Sequence, residues 1–241
     1  MGRAMKPTDD QKERLFRDSV YYEIIHTFGV PSDLTDEQLA SHAVGETVNF
    51  SRHVHARALA HFLFRRPGDD EVPRKHDDSF AEDFGFDPTV LGLSDDDRKK
   101  KAENKDLNKG LVHITYGRIG GATSKPWSSP VFKDLLPVTI LFMKHISDNE
   151  SAGLAGGRNL FANPRERKGW QQLLSCLESC QQGQRLRFES GFSGQETWYV
   201  PRTEPGDLAA LYGKKGAPAP EEAVVLSTAT NTADPRYQYF R

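Results

Sequence analysis

Thr8–Gly29, T-D-D-Q-K-E-R-L-F-R-D-S-V-Y-Y-E-I-I-H-T-F-G, decides the fold class. Thr8 and Gln11 form a capping-box pattern, in which the threonine oxygen accepts an orphan amide and the glutamine reaches back. Behind them Phe16, Val20, Ile24 and Phe28 recur every four residues, with Leu15, Tyr21 and Ile25 beside them. This is the pattern of an amphipathic helix burying one face. Gly29 and Pro31 stop it.

The same opening recurs at Thr35–Gln38 and predicts a longer helix to about Arg66. Leu39, Ala43, Val44, Val48, Leu59, Phe62 and Leu63 share its broad apolar face. Gly45 is expected to bend or divide it, and Pro67-Gly68 to end it. Asp77-Asp78-Ser79 predicts the cap of a short helix holding Phe80 and Phe84. Ser94 and Asp95–Asp97 open a third long helix, acidic where the dipole favours anions. Ser129-Pro130 opens a fourth, whose stripe includes Phe132, Leu135, Phe142, Met143 and Ile146, with Pro137 inside it.

After Ser147 the composition changes. Asp148–Gly157 is polar and glycine-rich, and Asn163-Pro164 then starts a helix with Trp170, Leu173, Leu174 and Leu177. Arg185–Glu189 and Glu196–Val200 read as a hairpin about Gly191–Gln195, with Val224–Leu226 and Tyr237–Phe240 as further strands. The expected architecture is mainly α: a helical bundle over 8–147, a linker over 148–162 and a small α+β segment over 163–241.

The 241 residues carry 32 basic and 34 acidic side chains, a formal charge of −2. No global basic field exists to attract nucleic acid or anionic lipid without regard to sequence. No run reaches the ~18–20 apolar residues of a membrane span. Cys176 and Cys180 fall one turn apart on one helix and read as two reduced thiols, which suits a cytoplasmic protein without a disulfide framework or a cofactor.

The motif richest in possible chemistry is Leu107–Arg118, L-N-K-G-L-V-H-I-T-Y-G-R, at the end of the third helix. Lys109 and His113 are four residues apart and share a face, whereas Asn108 lies about 140° from His113. With it go His55-Ala56-Arg57, and Asp77-Asp78 ahead of Asp83-Phe84. His53 and His55 point about 200° apart on a helix and cannot share a metal. The aspartates match no defined ligand spacing, so no metal is expected.

This ordered set, over about residues 45–145, resembles a family of uncharacterised bacterial helical proteins. More distantly, the helix pair with Asn108 and His113 is similar to HEPN domains. The resemblance implies an all-α bundle in which the polar groups converge. In the ribonuclease members an Arg and a His share one helix, usually acting across a dimer. Here His113 takes the place of that His, and Asn108 stands where the Arg would be, with Lys109 beside it.

Three functions follow as expectations, the third being a small-ligand or nucleotide-binding module that uses the same cleft. The first is a non-catalytic protein-interaction module, self-associating or binding another chain. In it His113 is a buried residue bonded to Asp77 or Asp78, and His55, Arg57, Asn108 and Arg118 complete a polar network. The second is a metal-independent, HEPN-like ribonuclease acting on RNA. There His113 is the general acid or base, Lys109 and Arg118 hold phosphate, and His55 and Arg57 assist.

Overall fold

The computed structural model describes residues 6–67, 69, 79–103, 130–193 and 196–205. The chain is mainly helical with a small sheet, as its apolar periodicity predicts. The motif Leu107–Arg118, the aspartates Asp77 and Asp78, and the strands expected at 224–226 and 237–240 lie outside the described residues.

Helix α1 spans Asp9–Leu15, and its capping box forms as the sequence predicts. It runs through a π turn at Phe16–Val20 into α2, Tyr21–Phe28. A strict four-residue apolar spacing overshoots the 3.6-residue turn by about 40° per step, and the wider i→i+5 turn takes up part of that drift. Phe16, Val20, Ile24 and Phe28 are all buried.

The second capping box also forms, but the helix it opens, α3, covers only Asp36–Ala40. The break falls at Ser41, in extended backbone, and α4 then runs from His42 to Phe64. Gly45 was expected at the break and instead sits in the first turns of α4. A Cβ there would lie 2.4 Å from the Leu39 carbonyl oxygen, so glycine permits the close return of the chain after Ser41.

Short 3₁₀ turns at Ala81–Phe84 and Pro88–Leu91 lead to α5, Asp95–Glu103. Ser94 caps α5 by accepting the Asp97 amide at 3.1 Å. Helix α6 spans Pro130–Asp148 with Pro137 inside it, and α7 spans Pro164–Gln181, capped by Asn163. Strands β1 (Gly29–Pro31), β2 (Gln184–Ser193) and β3 (Glu196–Pro205) form one sheet in that order, β1 parallel and β3 antiparallel to β2.

One hydrophobic cluster joins these elements, from Phe16 to Phe188. Trp170 is at its hub: the ring lies 4.7 Å from Phe16, and the indole N–H donates to the Met143 carbonyl at 3.1 Å. The stretch expected to link two parts contributes Ala152, Leu160 and Phe161 to the same core. The hairpin expected to belong to a separate C-terminal segment carries β1 from the N-terminal part on its flank. Arg187 reinforces this junction, donating to Asp36 and to the Leu34 carbonyl, both at 2.6 Å, and pairing with Glu204. Arg185 adds two bonds to the Asp36 carboxylate.

Candidate functional site

Of the residues singled out from the sequence, His55 is the one the described structure places in a polar cluster. It sits on α4 where α2 crosses, and its Nδ1 meets Glu23 Oε2 at 2.9 Å. Both side chains are mostly covered. Tyr22 packs edge-on to the His55 ring at 5.2 Å, and His26 lies 5.1 Å from it. Tyr22 and His26 are one turn apart on α2, with ring centroids at 4.2 Å.

The sheet closes the other side. Phe188 of β2 and Tyr199 of β3 meet the His26 ring at 4.9 and 5.4 Å, both edge-on. Tyr199 also contacts Tyr21, Tyr22 and Phe188. Burial, then the neighbouring His55, pushes the His26 pKa down to about 4. His26 is therefore neutral near pH 7, and its buried Nε2 has no hydrogen-bond partner among the described residues.

A histidine held by a carboxylate can exchange a proton. Here Tyr22 and His26 pack on the His55 ring and Tyr199 packs on both of them, so the polar bond and its aromatic neighbours fix how α2, α4 and the hairpin meet. Arg57 is exposed. It comes two residues after His55, about 200° further round α4, and so leaves the Glu23 side.

His53 faces away from His55, as helix geometry requires. It is fully buried, its Nδ1 lies 2.7 Å from the Asn49 carbonyl oxygen, and its ring packs on Phe132 at 4.9 Å. Burial pushes its pKa to about 4. Beside it the Arg52 guanidinium lies 4.6 Å above Phe132 and donates to the Thr27 carbonyl at 3.0 Å. Asp83, expected near the polar set, accepts the Phe80 amide at 3.0 Å and serves as a cap. Among the described residues no group of three or more His, Cys, Asp or Glu side chains could hold a metal ion. Cys176 and Cys180 are buried free thiols. Desolvation raises both of their pKa values.

Sequence reasoning did not find Glu23, His26 or Tyr199 as members of this cluster. The four-residue spacing of Tyr22 and His26 beside the apolar stripe was a signal that could have marked them. It also missed Arg98, which is buried on α5 and donates to both Asp69 oxygens at 2.6 Å and to the Asp95 carboxylate. That guanidinium holds the Asp69 carboxyl below the usual carboxylate range.

Asn108, Lys109, His113, Arg118, Asp77 and Asp78 fall outside the described residues, so their convergence with His55 stands as an expectation. Comparison of the chain with protein-family models, curated proteins and solved structures finds no match. Among the described residues no helix is long and apolar enough to cross a membrane.

Proposed function

We propose that this chain is a non-catalytic protein-interaction module, in which the helical body supports the β2–β3 hairpin and a partner polypeptide docks on the hairpin's outer end. The exposure gradient along one sheet face carries this reading. Leu186 and Phe188 are buried, while Phe192, on the same face by strand alternation, is 73% exposed. Tyr22, 37% exposed, packs on Tyr199 of that same face, and Trp198, 41% exposed, adds aromatic surface on the hairpin's other face. Aromatic residues left in water beyond a packed core mark surfaces that bind other chains. The Glu23–His55 pair supports the reading because its surroundings suit holding elements together.

A photo-crosslinking residue at position 192 tests the proposal, with the same probe at exposed Lys100 as control. A discrete polypeptide adduct at 192 is expected, and Phe192→Ser is expected to weaken binding of the purified partner at least tenfold. No adduct above the Lys100 control would overturn the proposal. RNA cleavage that resists EDTA and disappears in His113→Ala would replace it with the ribonuclease.

A further inference from the structure

We infer that Tyr199 on His26 is a proton-sensitive latch, which holds the outer part of the β2–β3 hairpin against α2 while His26 is neutral and releases it when His26 takes a proton. The two ends of the hairpin are fastened differently. At the inner end the Phe188 carbonyl accepts from the Ser32 amide at 2.9 Å, and the Pro201 carbonyl accepts from the Gln172 side chain at 2.8 Å. Arg187 adds its bonds to Asp36 and to the Leu34 carbonyl. None of these contacts includes an imidazole. Beyond the Phe188–Pro201 pair, the ring contacts between hairpin and α2 are those of Tyr199, which meets Tyr21, Tyr22 and His26 at 6.4, 6.1 and 5.4 Å.

His26 is the member of that contact that can gain a charge near neutral pH. Its ring touches Tyr22 on its own helix, His55 on α4, Phe188 on β2 and Tyr199 on β3. Among the described residues, the titratable groups that face it are thus Tyr22, Tyr199 and His55, with Glu23 bonded to His55 Nδ1 at 2.9 Å. Cys176 of α7 neighbours Tyr21, and Glu189 and Arg202 project from the opposite face of the sheet. Burial, then His55, keeps the proton off His26, with no opposing pull from Glu23. Burial also raises the Tyr199 pKa, so its hydroxyl stays neutral.

A protonated His26 would hold an N–H at the buried Nε2 with no acceptor beside it among the described residues. To reach water, the imidazolium has to displace one of its neighbours. Phe188 is 3% exposed and fixed in the core, and Tyr22 and His55 sit on packed helices. Tyr199 is half-buried and lies towards the outer end of the hairpin, so it is the neighbour that yields. With Tyr199 in place, His26 takes its proton only near pH 4; with Tyr199 displaced, its affinity returns towards the ordinary 6.5. Above pH 6.5 the latch is at full strength. As pH falls from 6.5 towards 4, the ratio of released to latched hairpin rises about tenfold per pH unit, or about 20-fold between pH 7 and pH 5. The latch acts whatever the outer end of the hairpin binds. On the interaction-module reading, it also makes the docking face around Phe192 pH-dependent.

Nuclear magnetic resonance titration of the histidines in the full chain tests this. Docking and protonation are reciprocal, so a residue that excludes the proton is one that the proton expels. His53 is the internal control, since it is buried against Phe132 and not against the hairpin. In wild type both His26 and His53 are expected to titrate near 4. In Tyr199→Ala, His26 is expected to titrate at about pH 5 or above, a latch weakened at least tenfold by the proton, while His53 does not move. A wild-type His26 that titrates near 6.5, one that Tyr199→Ala leaves unmoved, or one that rises together with His53 overturns the inference. If Tyr199→Ala fails to fold, relaxation dispersion of the backbone amides decides. Exchange at residues 190–192 and 197–199 is expected to grow from pH 7 to pH 5 in wild type and to stay level in His26→Phe. Equal exchange in the two proteins overturns the latch. The crosslink at position 192 is a separate measurement, so a failed latch leaves the interaction-module reading standing.

Discussion

His26 and His53 are two imidazoles folded into places that refuse a proton, and each has its pKa lowered from 6.5 to about 4. Above pH 6.5 they are neutral in the folded and unfolded chain alike, and their contribution to stability is fully present. As pH falls from 6.5 towards 4, the unfolded chain binds protons that the folded chain does not, and stability drops with a slope approaching about two protons. Urea denaturation at pH 7 and pH 5 measures this. His26→Gln or His53→Gln is expected to lower the slope by about one proton, and an unchanged slope would show that the group is not buried neutral. Trp170→Phe is expected to destabilise by about 1–3 kcal/mol, since it removes the indole bond to the Met143 carbonyl, which keeps only its bonds from its own helix, and opens a void beside Phe16. Chemical denaturation of the variant against wild type reads that loss.

At the scale of the elements, Gly45 makes the sharpest prediction. Gly45→Ala improves helix propensity, yet it places a methyl group 2.4 Å from the Leu39 carbonyl oxygen. Thermal unfolding is expected to show a loss of about 1–3 kcal/mol, with the clash outweighing a propensity gain of about 1 kcal/mol. A stabilised variant would show that the turn at Ser41 relaxes freely. The helix starts were legible because a cap is a local event: Thr8, Thr35, Ser94 and Asn163 each bond within three residues. The break at Ser41 was not legible, because it depends on where α3 packs. The Glu23–His55 pair was equally hidden. Its members are 32 residues apart, and no spacing rule joins a glutamate on one helix to a histidine on another. His55 was singled out, but the partner that orients it comes from the fold.

The molecule as a whole is knit across the boundary that its composition suggested at 148–162. Glycine-rich polarity signals a tether, yet Leu160 and Phe161 anchor that stretch, and Gly153, at φ 73°, sits where a Cβ would strike the Asp83 carbonyl oxygen. Residues 1–147 produced alone are expected to lack a cooperative thermal transition, since they lose Trp170, Leu173, Leu177, Leu186 and Phe188 from the shared cluster. Differential scanning calorimetry checks this, and a sharp transition would show an autonomous helical unit.

The π turn at Phe16–Val20 has a consequence for how this chain tolerates deletion. On its N-terminal side, Lys12 donates to the Gly153 carbonyl, Asp9 accepts the Ala155 amide, and Asp10 pairs with Arg158. Removing one residue between Phe16 and Val20 would restore a regular helix and perfect its local hydrogen bonding. It would also rotate everything before it by about 100° and swing that row of contacts off the Gly153 loop. The irregular turn therefore sets phase, and a shorter, more ideal helix would be the less stable protein.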